Sequence, residues 1–315
     1  MNYTIKSLIK IPLLFLLGST FLVQCTEKET TTNSLETLDA KITANAELSL
    51  FKAAIAQAKL ETFTKGPGPF TVYAPTNAAL NAAGITTTTL PGIDSVALTA
   101  LVLNHFQSIK RTSFEIPEGP NAPMASISGF SNFGYKDKPA DKIFINGSRI
   151  TSRDLTTSNG TLHIIDKPLF TPAFTISTLL AANNAYKLML QAINKTALLS
   201  TFSPSTASPA TVFVLDNATM TANGYDSTTI ANLTGTPLTT LSNILKYHVI
   251  PSRNFSVALK AGNLKTVFGT NVVVATSTSG VTIKGASNTT AFPLVFTDVI
   301  ASNGVFHVIG GMLKP

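Results

Sequence analysis

The pattern of apolar and polar residues changes period in the same order twice along the chain. In each half, apolar residues first recur at the spacing of an amphipathic helix, then form a short β-branched run, and later form several short runs that are typical of strands. The predicted helices cover residues 48–58, 96–105, 186–193 and 238–248. The predicted strands cover residues 70–73, 143–145, 149–150, 211–214, 272–275, 281–283 and 294–296, with a turn at Asn146-Gly147. Helices first and antiparallel strands last predict an α+β fold.

The two halves also share their rarest residues. All four histidines form matched pairs, His105 with His248 and His163 with His307, at offsets of 143 and 144 residues. An earlier landmark, residues 71–78, recurs after 140 residues. These offsets indicate a tandem duplication of a domain of about 140 residues, which is an ordinary domain size.

Three segments carry a family resemblance. Residues 69–79, 244–250 and 297–309 resemble the signature segments of the fasciclin domain. The resemblance implies two tandem fasciclin-like domains, each a wedge or sandwich of β-strands flanked by several helices. We place them at residues 36–170 and 171–315.

The resemblance implies a noncatalytic role in adhesion and matrix binding. In animal adhesion members, an Asp-Ile pair before an Asn-Gly turn and a Tyr-His pair are implicated in partner binding. The candidate partner-binding residues at matching positions are Asp298, Val299, Tyr247, His248, Asp154 and Leu155. The second repeat matches better, because Asn104 stands in the first repeat where the family has Tyr, although neither repeat has Ile after Asp.

Each candidate also has a purely structural interpretation. A histidine on the apolar face of a helix, such as His248, is more often a buried residue bound to a backbone carbonyl, and we favour that interpretation. Asp298 could cap its own loop. His163 and His307 alternate with apolar neighbours on a strand, which predicts partial exposure.

The N-terminus resembles a bacterial lipoprotein signal. A basic start precedes an apolar stretch at residues 11–23, which is too short to span a membrane, and the chain's single cysteine, Cys25, follows it. We predict a signal peptide at residues 1–24, lipidation of Cys25 and a Thr-rich tether at residues 25–35. Gln24 departs from the small residue usual before a lipidated cysteine, and an ordinary secretory signal is the alternative. The lipoprotein interpretation places the protein outside the cytoplasm, lipid-anchored to the bacterial envelope at the outer membrane or cell surface.

Composition narrows the classes of partner. The net charge of +7 falls to +5 without residues 1–24, and only 12% of the residues are charged. Basic residues are scattered without an aromatic-interleaved stripe, so we expect no nucleic acid partner and no membrane contact except through the anchor. We expect a protein or glycan partner on another surface.

Motifs typical of enzymes, metal sites and phosphate-binding sites are absent from the sequence. It contains no Gly-x-Ser-x-Gly, no clustered metal ligands and no phosphate-binding glycine loop. We therefore predict no enzyme activity, no cofactor and no metal. The alternatives are a periplasmic carrier of small ligands or an enzyme acting on cell-wall or plant-derived material, and a structural component of the envelope or of a biofilm matrix.

Overall fold

The computed structural model describes residues 34–315. The predicted signal peptide and Cys25 lie outside the described residues. Within residues 34–315, no helix combines the length and the apolar character needed to cross a lipid bilayer.

The first half contains five α-helices and seven strands among the described residues. They are α1 Leu38–Ala44, α2 Ser49–Gln57, α3 Glu61–Lys65, β1 Phe70–Pro75, α4 Asn77–Ala82, α5 Ser95–Asn104, β2 Phe106–Gln107, β3 Ala122–Ala125, β4 Ser131–Asp137, β5 Lys142–Ile145, β6 Ser148–Thr157 and β7 Gly160–Ile165. Single 3₁₀ turns lie at Ala46–Leu48, Leu90–Gly92, Ser113–Glu115 and Lys138–Ala140.

The second half repeats this order with one additional helix. Its elements are α6 Ile176–Ala181, α7 Lys187–Lys195, α8 Leu199–Phe202, β8 Ala210–Val214, α9 Asn217–Ala222, α10 Ser227–Asn232, α11 Gly235–Tyr247, β9 Val249–Ile250, β10 Gly262–Lys265, β11 Asn271–Ser277, β12 Gly280–Lys284, β13 Phe292–Ala301 and β14 Gly304–Ile309. Two 3₁₀ turns lie at Asn184–Tyr186 and Ser256–Ala258.

Each half folds around one seven-stranded sheet with the same topology. The strand order is β2-β1-β7-β6-β5-β4-β3 in the first domain and β9-β8-β14-β13-β12-β11-β10 in the second. The predicted α+β class with two tandem domains is therefore confirmed. The last strands of each domain pair antiparallel, as predicted. The sequence did not predict that β1 pairs in parallel with β7, and β8 with β14. These parallel pairs join the first and last long strands of each domain and bury both strands almost completely.

The predicted helical faces pack against these sheets. Phe51 and Ile55 on α2, and Met189 and Ile193 on α7, are buried in the cores of their domains. The spacing of these residues places them on one side of each helix, and burying large apolar side chains is the main favourable term in such packing.

Short polar side chains begin the helix that follows the first strand of each sheet. The caps are Thr76 and Asp216, whose side chains accept from backbone N–H groups in the first turn. Asn77 accepts from the N–H of Leu50 at 2.9 Å and so ties α2 to α4.

Candidate functional site

Both candidate aspartates lie on matching β-bulges. The register shifts in β6 before Leu155 and in β13 before Val299, and the residue on the bulge, Asp154 or Asp298, has φ of +62° or +65°. Aspartate tolerates this left-handed conformation better than most residues, and a bulge turns a side chain out of the regular alternation of a strand.

Each aspartate accepts two hydrogen bonds from a serine on the 3₁₀ turn that follows α5 or α11. We call this arrangement, together with the histidine described below, the clasp. Asp154 accepts from the backbone N–H of Ser113 at 2.6 Å and also from its hydroxyl. Asp298 accepts from the N–H and the hydroxyl of Ser256, both at 2.6 Å. Burial raises the pKa of the Asp154 carboxyl, but the bonds from Ser113 outweigh burial and hold that pKa below its usual value.

A buried histidine completes each clasp. The N–H of Asp154 donates to Nδ1 of His163 at 3.2 Å, and Nε2 of His163 lies 3.0 Å from the carbonyl of Arg111. In the second domain, His307 makes the same contacts with the N–H of Asp298 and the carbonyl of Asn254. Because the aspartate N–H can only donate and the carbonyl can only accept, each ring is neutral with its proton on Nε2.

The predicted partial exposure of His163 and His307 was wrong, because both are fully buried. Their strands are flanked on both sides by other strands, and an aromatic ring covers each imidazole. Tyr73 lies 5.3 Å from His163, and Phe213 lies 6.1 Å from His307, between ring centroids. Burial lowers the pKa of both histidines.

The serine, aspartate and histidine of each clasp do not form a nucleophile–base relay. In such a relay the hydroxyl hydrogen-bonds to the imidazole and the carboxylate supports the other ring nitrogen. Here the hydroxyls of Ser113 and Ser256 donate to the carboxylates, and both nitrogens of His163 and His307 contact backbone groups. The geometry holds a loop in place and activates no hydroxyl.

The other two histidines, His105 and His248, each join a helix to the backbone near the end of their domain. Nδ1 of His248 lies 2.8 Å from the carbonyl of Ile244, and Nε2 accepts from the N–H of Leu313 at 3.1 Å. His105 does the same with Leu101 and Leu169. Burial lowers the pKa of His105 and of His248 to about 4. The structural interpretation of His248 is confirmed.

Tyr247 is an internal residue too. It is fully buried, and its hydroxyl lies 2.5 Å from the carbonyl of Asn271 and accepts from the N–H of Ala286. In the first domain, Asn104 takes this position and donates to the carbonyl of Leu169 at 3.0 Å.

The clasp of the second domain is covered by the first domain. Only 3% of the Asp298 side chain is exposed, and Nζ of Lys167 lies 3.3 Å from its carboxylate. A Cβ on Gly147 would lie 2.8 Å from Cγ of Asp298, so the Asn-Gly turn approaches as closely as only glycine permits. Asp298 therefore serves the contact between the domains, and its structural role extends beyond its own loop.

Apolar and cationic contacts surround this point. Phe255 packs with Ile300 and Val305, and Phe133 of the first domain packs against them. The Arg253 guanidinium lies 4.0 Å from the centroid of the Phe133 ring, and burial lowers the pKa of Arg253 to about 10, so it stays charged at neutral pH. We call these contacts the junction, together with an ion pair at 2.7 Å between Lys260 and Asp137.

The matching surface of the first domain is open. We call it the first-domain loop face, and it comprises Lys110, Thr112, Phe114, Asp154, Leu155 and Thr156. Phe114 is 89% exposed, whereas Val257 at the same position of the second domain packs against the junction. Leu155 also lines an open groove of about 430 Å³ with Leu162, Glu36 and Lys41.

The contacts of the junction could not be predicted from the sequence pattern of either domain alone. Phe133 and Phe255 each look like ordinary strand or loop aromatics in sequence, and Gly147 looked like a hairpin turn residue. The one available signal was the difference between the repeats, because Phe255, Ile300 and Val305 correspond to three threonines, Thr112, Thr156 and Thr161.

Comparison with known proteins identifies the family. The Fasciclin domain model matches residues 46–172 and again residues 184–315. The chain belongs to the fasciclin domain family. The resemblance that we noted in the signature segments is thereby confirmed, in tandem as expected.

Fasciclin relatives occur in animals and bacteria. The chain is 26% identical over 261 residues to the transforming growth factor-beta-induced protein ig-h3 of Sus scrofa, a match that covers 82% of this chain and 36% of that protein. It is 32% identical over 145 residues to protein sll1483 of Synechocystis sp., covering 45% of this chain and 77% of that protein. The chain thus spans about a third of the length of the ig-h3 proteins that it matches.

A solved fasciclin structure is also similar. A FAS1 domain pair from the insect cell adhesion molecule Fasciclin I aligns over 88% of this chain and 96% of that chain, with 16% identity and a TM-score of 0.42.

Proposed function

We propose that this fasciclin protein is a noncatalytic adhesion module of the bacterial cell surface, exported and held there by a lipid on Cys25. Family membership supports a binding role, and both histidine-containing clasps are built as structural braces. The partner is a protein or glycan carried on another surface, and the chain needs no cofactor to bind it.

The open loop face of the first domain is the proposed contact surface. The observation that carries this assignment is Phe114, a large aromatic side chain that is 89% exposed on a loop braced by the Asp154 clasp. An exposed aromatic on a rigid support is a favourable anchor for a partner, because little conformational entropy is lost on binding.

The second domain contributes less to direct contact in this proposal. Asp298 lies under the junction, Tyr247 and His248 are fully buried, and Val299 packs against the core. These residues support the domain, whereas Asp154 and Leu155 lie half-buried at the margin of the open face.

The test is binding of the chain to an array of matrix proteins and glycans. Phe114→Ala should weaken binding to any selective partner about tenfold or more, because it removes the anchor without touching the clasp. Val96→Ala is the matched control, since Val96 is 77% exposed on α5, away from this face. Equal binding by the wild type and by Phe114→Ala would refute the assignment of this face.

The anchor is tested separately. Cys25→Ala should abolish incorporation of radiolabelled fatty acid and release the protein from the membrane fraction. Continued labelling of the variant would exclude Cys25 as the lipidated residue.

A further inference from the structure

The strand-rich part of the second domain is almost free of acidic residues. Residues 227–315 contain six Lys or Arg and one acid, Asp298, whereas the corresponding residues 84–171 contain eight basic and seven acidic residues. Asp298 is covered at the junction, so this part of the second domain presents no carboxylate side chain to solvent.

Some of its cations are already engaged. Arg253 stacks on Phe133, and Lys260 pairs with Asp137. Among residues 34–315, the other four cations of this segment form no ion pair. They are Lys246, Lys265, Lys284 and Lys314.

Two of these lysines share one side of the sheet. Val272 and Val274 of β11 point inward and are buried, so Asn271, Val273 and Ala275 point outward. The cross-strand partners of the outward residues share their side: Lys265 pairs with Asn271, Asn263 and Lys284 pair with Val273, and Thr282 pairs with Ala275. We call these seven residues the second-domain sheet face.

A third lysine lies beside this face. The carbonyl of Lys314 accepts from the N–H of Ser287, and the N–H of Lys314 donates to Asn288, so the C-terminal segment runs next to the residues that follow Lys284. Lys314 is exposed.

The corresponding face of the first domain shows that this surface is suited to contact. Phe133 occupies the position of Val273, because each is the third residue of its strand and pairs with the second residue of the neighbouring edge strand. Phe133 packs into the junction, whereas Val273 is 47% exposed and no other part of residues 34–315 covers it.

We propose that the second-domain sheet face binds an acidic polysaccharide. Unpaired lysines supply charge complementarity to carboxylates or sulfates on the sugar. The amides of Asn263 and Asn271 and the hydroxyl of Thr282 both donate and accept, as sugar hydroxyls require. Val273 offers an apolar contact for the C–H face of a sugar ring. This surface is separate from the first-domain loop face, so the two proposals stand or fall independently.

The test measures binding of the intact chain to immobilised polygalacturonate, with its fully methyl-esterified form as the matched neutral ligand. The wild type should bind the charged form selectively, and added salt should weaken binding, because it screens exposed charges. The double variant Lys265→Glu/Lys284→Glu should bind at least about tenfold more weakly, since two attractive contacts become repulsive.

A second double variant separates the face from net charge. Lys52→Glu/Lys187→Glu makes the same charge change on exposed helix positions of α2 and α7, and it should retain binding within about twofold. Thermal unfolding of both variants checks that the fold is intact.

Four results would overturn the proposal. They are equal loss of binding in the two double variants, equal binding of the esterified polymer, no binding to polygalacturonate at low salt, and binding to phosphatidylglycerol vesicles without binding to the polysaccharide. Loss of binding in Phe114→Ala with retention in Lys265→Glu/Lys284→Glu would place the contact on the other face.

Discussion

The loop faces of the two domains share a clasp and differ in what surrounds it. In both, an aspartate on a bulge accepts from a serine on a 3₁₀ turn and its N–H donates to a buried histidine. Around the second clasp lie Phe255, Ile300 and Val305 and the covering first domain, and around the first lie three threonines and solvent. The two domains thus share their internal hydrogen bonds and differ in their exterior. The matched histidines indicate what the fold requires, and the neighbours that differ indicate where the two domains have different roles.

Acid should destabilise both domains alike, and this is the largest effect we expect. The pKa of His105 and of His248 is about 4 when folded, below the value of about 6.5 in an unfolded chain. Above pH 6.5 neither state takes up the proton. Between pH 6.5 and 4 only the unfolded state does, so the free energy of unfolding should fall by a few kcal/mol over this range. Below about pH 4 the Asp154 carboxyl adds a further loss, because its pKa is lowered in the folded state.

Urea unfolding across this pH range measures the acid effect. His248→Gln should reduce the pH dependence, because it removes one of the four histidines whose pKa is lowered by burial. A pH-independent midpoint in the wild type would contradict the assignment of neutral buried rings.

Gly147→Ala should destabilise the protein more than Gly84→Ala, because Gly147 lies at the junction. Gly147 and Gly84 have the same φ of +79°, but a Cβ on Gly147 would meet Asp298 at 2.8 Å. A Cβ on Gly84 would meet none of the described residues within 4 Å. Gly84→Ala should cost about 1 kcal/mol of unfolding free energy through backbone strain alone. Gly147→Ala should cost about 2 to 3 kcal/mol, because a clash with a tightly held side chain is added.

Small-angle scattering should then show a larger radius of gyration for Gly147→Ala and an unchanged one for Gly84→Ala. Equal costs for the two variants in urea unfolding would argue that the approach of Gly147 to Asp298 has no energetic role.

Substituting Thr161 and Val305 by each other's residue type compares the two sheets at one equivalent position. The two residues occupy the same position, and the buried Thr161 hydroxyl has no hydrogen-bond partner in the part of the chain that the structure describes. Thr161→Val should stabilise the first domain by about 1 kcal/mol, because a buried unsatisfied hydroxyl is removed at nearly constant volume. Val305→Thr should destabilise the second domain by about 1 to 2 kcal/mol. Thermal unfolding measures both, and a destabilising Thr161→Val would show that the hydroxyl is satisfied.

Salt should have the smallest effect, and the part that acts on the junction can be measured separately. The pairs Lys167–Asp298 and Lys260–Asp137 join the domains at 3.3 and 2.7 Å. Because the lysines are partly exposed, each pair should contribute at most about 1 kcal/mol, and 1 M NaCl should remove most of it. Lys167→Met/Lys260→Met should abolish this part of the salt dependence in urea unfolding, whereas Arg153→Met, which breaks a pair within the first domain, should leave it unchanged.

We do not expect two molecules to dock through their open faces in the way that the two domains meet at the junction. The ion-pair partners Asp137 and Lys260 correspond to Ser277 and Pro117, and the apolar cluster of the second domain corresponds to threonines. The open faces at the two ends therefore differ chemically from the two faces that meet inside the chain.

Much of the fold was accessible from periodicity. The strands around residues 143–150 and 272–296 and the helical faces of α2 and α7 follow from apolar spacing. The edge strands β3 and β10 escaped it, because Pro123 and Gly262 are poor strand formers whose segments bury little apolar surface. The parallel pairing of β1 with β7 was missed because two strands buried on both faces carry no sign of their direction.

The candidate site was harder to predict for a different reason. Motif positions matched Asp154 with Asp298, which lie on equivalent bulges of β6 and β13. Spacing within one repeat, however, says nothing about which bulge a neighbouring domain covers. That choice depends on Gly147 and Phe133, which lie in the other domain.

The parallel pairing at the centre of each sheet has a consequence for synthesis. β1 cannot find its partner until β7, about ninety residues later, has emerged, and His105 waits longer still for Leu169. Each domain must therefore remain incomplete, with one edge of its earliest strand unpaired, until nearly all of it has left the ribosome or translocation channel. The first domain can then close as a unit before β8 appears, and the second domain assembles against a neighbour that is already finished.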